Sequence, residues 1–75
     1  MKNLKDINGK DIEEGDTVGF QLYRDEPYQT GIIVWDIYTY TIMDVNGKYV
    51  DELYIINELL RHSQENLEII KKSGE

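Results

Sequence analysis

The chain contains no cysteine, which removes disulfide staples and thiolate metal ligands and fits a reducing compartment. It has one histidine, His62, and two serines, Ser63 and Ser73. Serine–histidine–aspartate chemistry would have to assemble from these few groups, and no strained nucleophile turn precedes either serine. Neither a phosphate-cradling glycine loop nor a dinucleotide fingerprint is present. No apolar run approaches the roughly 18 residues of a membrane span. The opening MKNLKDINGKDIEEGD lacks the apolar core of a secretion signal, so the expectation is an intact cytoplasmic protein without membrane contact. Basic residues are also scarce, with 8 Lys and Arg against 15 Asp and Glu, a formal net charge of -7. That balance opposes a phosphate backbone and disfavours direct nucleic-acid binding. Its plain meaning is solubility, and its sharper meaning is attraction to a basic partner surface.

At 75 residues, a chain buries only about 60% of the surface it exposes when unfolded. One modest core is all it can build, with little room for a deep cleft and its supporting shell, which argues against an enzyme. Residues 1–75 therefore read as one domain.

Within that domain the signals are mainly β. Asp6-Ile7-Asn8-Gly9-Lys10 and Asp44-Val45-Asn46-Gly47-Lys48 each carry the Asn-Gly pair of a tight type I′ turn, whose two central residues need positive φ. Gly15 provides for a further left-handed turn. An alternating strand then runs from about Thr17 to Tyr23, with Val18, Phe20 and Leu22 on one face. Arg24-Asp25-Glu26-Pro27 ends it and predicts a long mobile loop. The run from about Thr30 to Ile37 is apolar on both faces, as in a central strand, and Gly31 relieves crowding where that strand bends. Tyr38 to Val45 alternates, turns at Asn46-Gly47 and returns through Lys48 to Val50. Leu53, Ile56, Leu59 and Leu60 then form one helical stripe, predicting a helix of about two turns ending near His62-Ser63. Leu67 to Ile70 reads as a last strand, and Lys71 to Glu75 as a frayed tail. The expected fold is a small SH3-like antiparallel β-barrel with one short C-terminal helical segment before a last strand.

The stretch Leu4-Lys5-Asp6-Ile7-Asn8-Gly9-Lys10 followed by Glu14-Gly15-Asp16-Thr17-Val18 resembles the opening of the YopX family domain. There a leucine, a lysine and Asp-x-Asn-Gly-Lys precede Glu-Gly-Asp and a strand. The match is specific over about the first eighteen residues and architectural afterwards. Glu13 stands where the family commonly has an aromatic residue, and Lys71 to Glu75 lacks the family's ending rich in asparagine and proline. The resemblance implies an SH3-like barrel encoded by a phage or prophage of a low-GC Gram-positive host. It transfers no catalytic residue, because the matching positions make turns.

Candidate chemistry elsewhere is thin. Glu58 and His62 share a helix face at i,i+4 spacing, but two ligands do not make a metal site, and a solvated pair is the better account. Glu13/Glu14, Asp25/Glu26 and Asp51/Glu52 are adjacent pairs, which a strand would point to opposite faces. No cofactor is implied. Tyr23, Tyr28, Trp35, Tyr38, Tyr40, Tyr49 and Tyr54 exceed what one small core needs, and tyrosine is enriched at interface hot spots, although cross-strand pairing also employs aromatic residues. Tyr28, Trp35 and Tyr38, with the acidic Asp25 and Glu26, are the candidate partner-binding residues. The resulting expectation is a non-enzymatic phage accessory protein that binds a host or phage protein, in one version as an acidic inhibitor of a host nucleic-acid enzyme or defence system. Two alternatives stand beside it. Gly31 and the alternating residues after it resemble KOW-type and Tudor-like nucleic-acid-binding barrels, and exposed barrel edges permit a homo-oligomer with a small-ligand site between subunits.

Overall fold

The computed structural model describes residues 4–21, 23–36, 39–44 and 53–74. The chain opens with a hairpin of β1 (Leu4–Lys5) and β2 (Asp11–Ile12), which pairs Leu4 with Ile12 and Lys5 with Asp11. Its turn is not the two-residue form expected at Asn8-Gly9. The Gly9 N–H donates to the Asp6 carbonyl and the Asp6 N–H to the Lys10 carbonyl, each at 2.9 Å, so Ile7 and Asn8 form the centre. Gly9, with φ of 79°, follows as a third loop residue. Such a loop ends on a left-handed residue, which a glycine adopts without a Cβ clash.

Four further strands form one antiparallel sheet: β3 (Thr17–Phe20), β4 (Gln29–Asp36), β5 (Thr39–Met43) and β6 (Glu68–Lys71), in the order β5-β4-β3-β6. As its two apolar faces predict, β4 lies inside the sheet, paired with β3 on one side and β5 on the other. Period-2 alternation puts Val18, Phe20, Ile33 and Ile42 in the core. Gly31 sits against that core where space is shortest. A Cβ there would collide with Ile42 Cγ2 and come within 2.8 Å of the Met43 carbonyl, which is the crowding its glycine relieves. On β6 the register shifts between Thr17 and Val18, leaving Ile70 as an extra residue in a bulge. The Ile70 side chain lies over Gly19, where its Cδ1 would be 3.2 Å from an added Cβ.

The helical stripe forms α1 (Leu53–Arg61), which packs against β5. Ile56, Leu59 and Leu60 join Ile12, Val18, Phe20, Ile33, Ile42 and Leu67 in one buried cluster. The Leu53 and Tyr54 side chains lie outside what is described. At about 25 cal/mol per Å² of apolar area removed from water, this cluster supplies the main drive for folding.

The mainly β class, the antiparallel pairing and the helix before the last strand are all present. Closure into a barrel is not detected: among the described residues, the four-stranded sheet is open, with β5 and β6 at its ends. The expected strand to Tyr23 stops at Phe20, because the Gln21 side chain turns back to the loop beyond it. A second short helix, α2 (Ser63–Asn66), follows α1 and was not foreseen. The expected tail is not frayed through Ser73, since Lys71 belongs to β6 and Lys72 and Ser73 are bonded to Asp16; Glu75 lies outside the described residues. The Asn46-Gly47 turn and the return through Val50 lie outside the described residues.

Candidate functional site

The motif residues at the start of the chain turn out to be fasteners. Asp6 is almost fully buried, and its Oδ1 accepts the N–H groups of Asn8 and Lys10 at 2.9 Å each. Its Oδ2 accepts the Ile69 N–H at 3.1 Å, while the Ile7 N–H donates to the Leu67 carbonyl at 2.9 Å. The N-terminal hairpin is thereby fixed to β6. Asp16 is wholly buried and acts in the same way one turn later. Its Oδ2 accepts the Glu13 N–H at 2.8 Å and the Lys72 ammonium at 2.7 Å, and its Oδ1 accepts the Ser73 N–H at 2.7 Å. Lys72 also reaches Glu13 at 3.2 Å and the Asp11 carbonyl at 3.1 Å.

Burial pushes the Asp6 carboxyl up, but the N–H groups of Ile69, Lys10 and Asn8, with the Lys10 charge, more than reverse it. The Asp6 carboxyl ends below its ordinary value. Burial acts likewise on Asp16, and the Lys72 ammonium with the Glu13 and Ser73 N–H groups pulls it below the ordinary range. The Asp16 hydrogen bond in turn raises the Lys72 ammonium, outweighing its desolvation, with Glu13 adding in the same direction. Each carboxylate is kept ionised by donors that consume its lone pairs. That is the arrangement of a structural brace, with every oxygen directed at the protein's own chain.

A different arrangement occupies the β3–β4 loop. Gln21 leaves β3 and donates its side-chain amide to the carbonyls of Arg24 and Glu26, and the Glu26 N–H donates to the Tyr23 carbonyl at 3.1 Å. One amide thus ties the turn that the sequence predicts as a long mobile loop. Asp25, Glu26 and Pro27 stand on it exposed, and Tyr28 is 74% exposed. Tyr23 is also exposed. A phenol ring left in water contributes nothing to the core, and a tied loop loses less freedom on engaging a partner.

The structure divides the predicted binding residues. Asp25, Glu26 and Tyr28 share this loop, whereas Trp35 lies near the far end of β4. Seven positions separate Tyr28 from Trp35, which along a strand places them on the order of 20 Å apart. Trp35 is 37% exposed and meets its cross-strand partner Tyr40 edge to face, with ring centroids 4.8 Å apart. The backbone N–H of Trp35 donates to Glu14 Oε2 at 3.1 Å. It behaves as the cross-strand aromatic that sheets employ for stability. Tyr38 lies outside the described residues.

Glu58 and His62 do meet, at 3.8 Å, and Glu65 approaches the other ring nitrogen at 3.7 Å. These carboxylates sit on opposite nitrogens of one exposed imidazole, so they do not converge on a single point. Among the described residues no group of three His, Asp or Glu side chains could hold a metal ion, and no helix is long and apolar enough to cross a membrane. The signal for the buried aspartates was present only in part. An aspartate opening Asp-x-Asn-Gly suggests a side chain bonded to the backbone two residues on, but nothing local marks Ile69, Lys72 or Ser73 as its distant partners or those of Asp16. No protein-family model, curated protein or solved structure matches the chain.

Proposed function

We propose that this chain is a non-enzymatic binding protein that engages another protein through its β3–β4 loop. The observation that carries this reading is Tyr28, 74% exposed two residues beyond the turn that Gln21 ties, on which Asp25 and Glu26 also stand exposed. Tyrosine supplies large contact area with few rotatable bonds, and the neighbouring carboxylates favour a basic counterpart, as does the net charge of -7. The resemblance of Leu4 to Val18 to the YopX opening adds a genetic setting: a phage or prophage accessory protein acting in a bacterial cytoplasm. A basic, nucleic-acid-handling host enzyme or defence nuclease is the class of partner that such a surface suits, and covering its groove would inhibit it.

The test is capture from a low-GC Gram-positive lysate with the immobilised chain and, in parallel, a D25N/E26Q/Y28A variant, at low and moderate salt. A specific protein retained by the first and depleted at least tenfold on the second supports the reading. Equal retention by both, or no specific protein at either salt, overturns it.

A further inference from the structure

A concave surface lies between β1 and the corner where α1 passes into α2, which packs against β1. It is a groove of about 600 Å³, within the range of small-molecule sites. Its apolar part is Leu4 and the buried Leu60. Its ionisable lining comprises Lys5, Arg61 and His62 against a single carboxylate, Glu65. The two fixed cations of that lining, Lys5 and Arg61, outnumber its one carboxylate in a chain with 15 acidic and 8 basic residues, and their present partners, Asp11 and Glu58, are not among the lining residues.

We propose that this groove binds a small amphipathic carboxylate, with the acid group on Arg61 and Lys5 and the hydrocarbon on Leu4 and Leu60. Arg61 presents a planar fork matched to a carboxylate. Its present partner is Glu58, in an i,i+3 pair at 3.2 Å with both side chains largely in water. Such exposed pairs are weak, so exchange for an incoming carboxylate costs little. Lys5 is in the same position, held at 2.6 Å by an Asp11 that is itself exposed. The apolar floor then decides what kind of acid is preferred. A hydrocarbon tail laid against Leu4 and the edge of Leu60 leaves water, so tail length must raise affinity. A bare inorganic anion lacks that gain.

The experiment is an amide chemical-shift titration of the full chain with hexanoate, with acetate, hexylamine and hexanol as comparators. Saturable shifts at Leu4, Leu60, Arg61 and Ser63 are expected with hexanoate, at least tenfold tighter than with acetate and weaker by tenfold or more in R61Q. Lys5→Gln should weaken it several-fold, and both variants change exposed side chains, so their spectra should otherwise retain the parent dispersion. Equal binding of hexylamine or hexanol overturns the proposal, as does a non-saturating response or an unchanged affinity in R61Q. Tyr28→Ala should leave hexanoate binding untouched, which separates this site from the β3–β4 loop.

Discussion

The two ends of the chain and the β3–β4 loop handle the same kinds of residue in opposite ways. Where the N-terminal turns meet β6, aspartates are buried, and every one of their contacts is to the chain itself. In the loop, Asp25 and Glu26 are exposed, and the polar side chain that holds the turn is a neutral amide, Gln21. Acidic residues brace the fold in one region and face outward in the other. The charge total therefore says nothing about which carboxylates are available to a partner.

Substitutions should separate the regions by the size of their effect on stability. Asp16→Ala has the largest. It leaves the Glu13 and Ser73 N–H groups and the Lys72 ammonium without their acceptor, and losing such charge-assisted bonds costs on the order of 3 kcal/mol. Denaturant unfolding should show most of the chain's stability gone, and a midpoint within experimental error of the parent would break the comparison.

Next comes Gly31→Ala, which tests packing without touching charge. The added methyl meets Ile42 and the Met43 carbonyl, so overpacking of about 1–3 kcal/mol is expected in the same unfolding assay.

The brace also predicts an acid limit. Asp6 and Asp16 are held below their ordinary values, so their contribution is complete above about pH 4, the unfolded range, and is lost as pH falls through their lower folded values. Lys72 is raised, so its contribution is complete below about pH 10 and fades as pH climbs past its folded value. Thermal melts across pH should fall away at both extremes, and D6N or D16N should flatten the acid limb. Lys72→Met should cost less than Asp16→Ala, because both N–H donors to Asp16 remain. The smallest effect belongs to D25N/E26Q/Y28A, within about 0.5 kcal/mol of the parent, while its partner binding collapses.

Much of the architecture was legible, and the reason is periodicity. Alternation placed Val18 and Phe20, the doubly apolar run placed β4, and the i,i+3,i+4 stripe placed Ile56, Leu59 and Leu60. The second helix was not, because Ser63-Gln64-Glu65-Asn66 carries no apolar repeat. The tail was misread for a related reason. Lys-Lys-Ser-Gly-Glu has the composition of a loose end, and a buried acceptor 57 residues away holds Ser73. The candidate site was half visible, since Tyr28 and the acidic pair were identifiable as a surface. That Trp35 belongs elsewhere follows from strand length and from Tyr40 beside it.

The Asp6 bond to Ile69 spans 63 residues of chain. Contacts of that separation close late, after the entropy of a long loop has been overcome. On a ribosome, the emerging N-terminal hairpin must wait for β6 before its buried carboxylate finds its last donor. The Asp6 carboxylate therefore gains its full set of donors only once β6 has formed beside it.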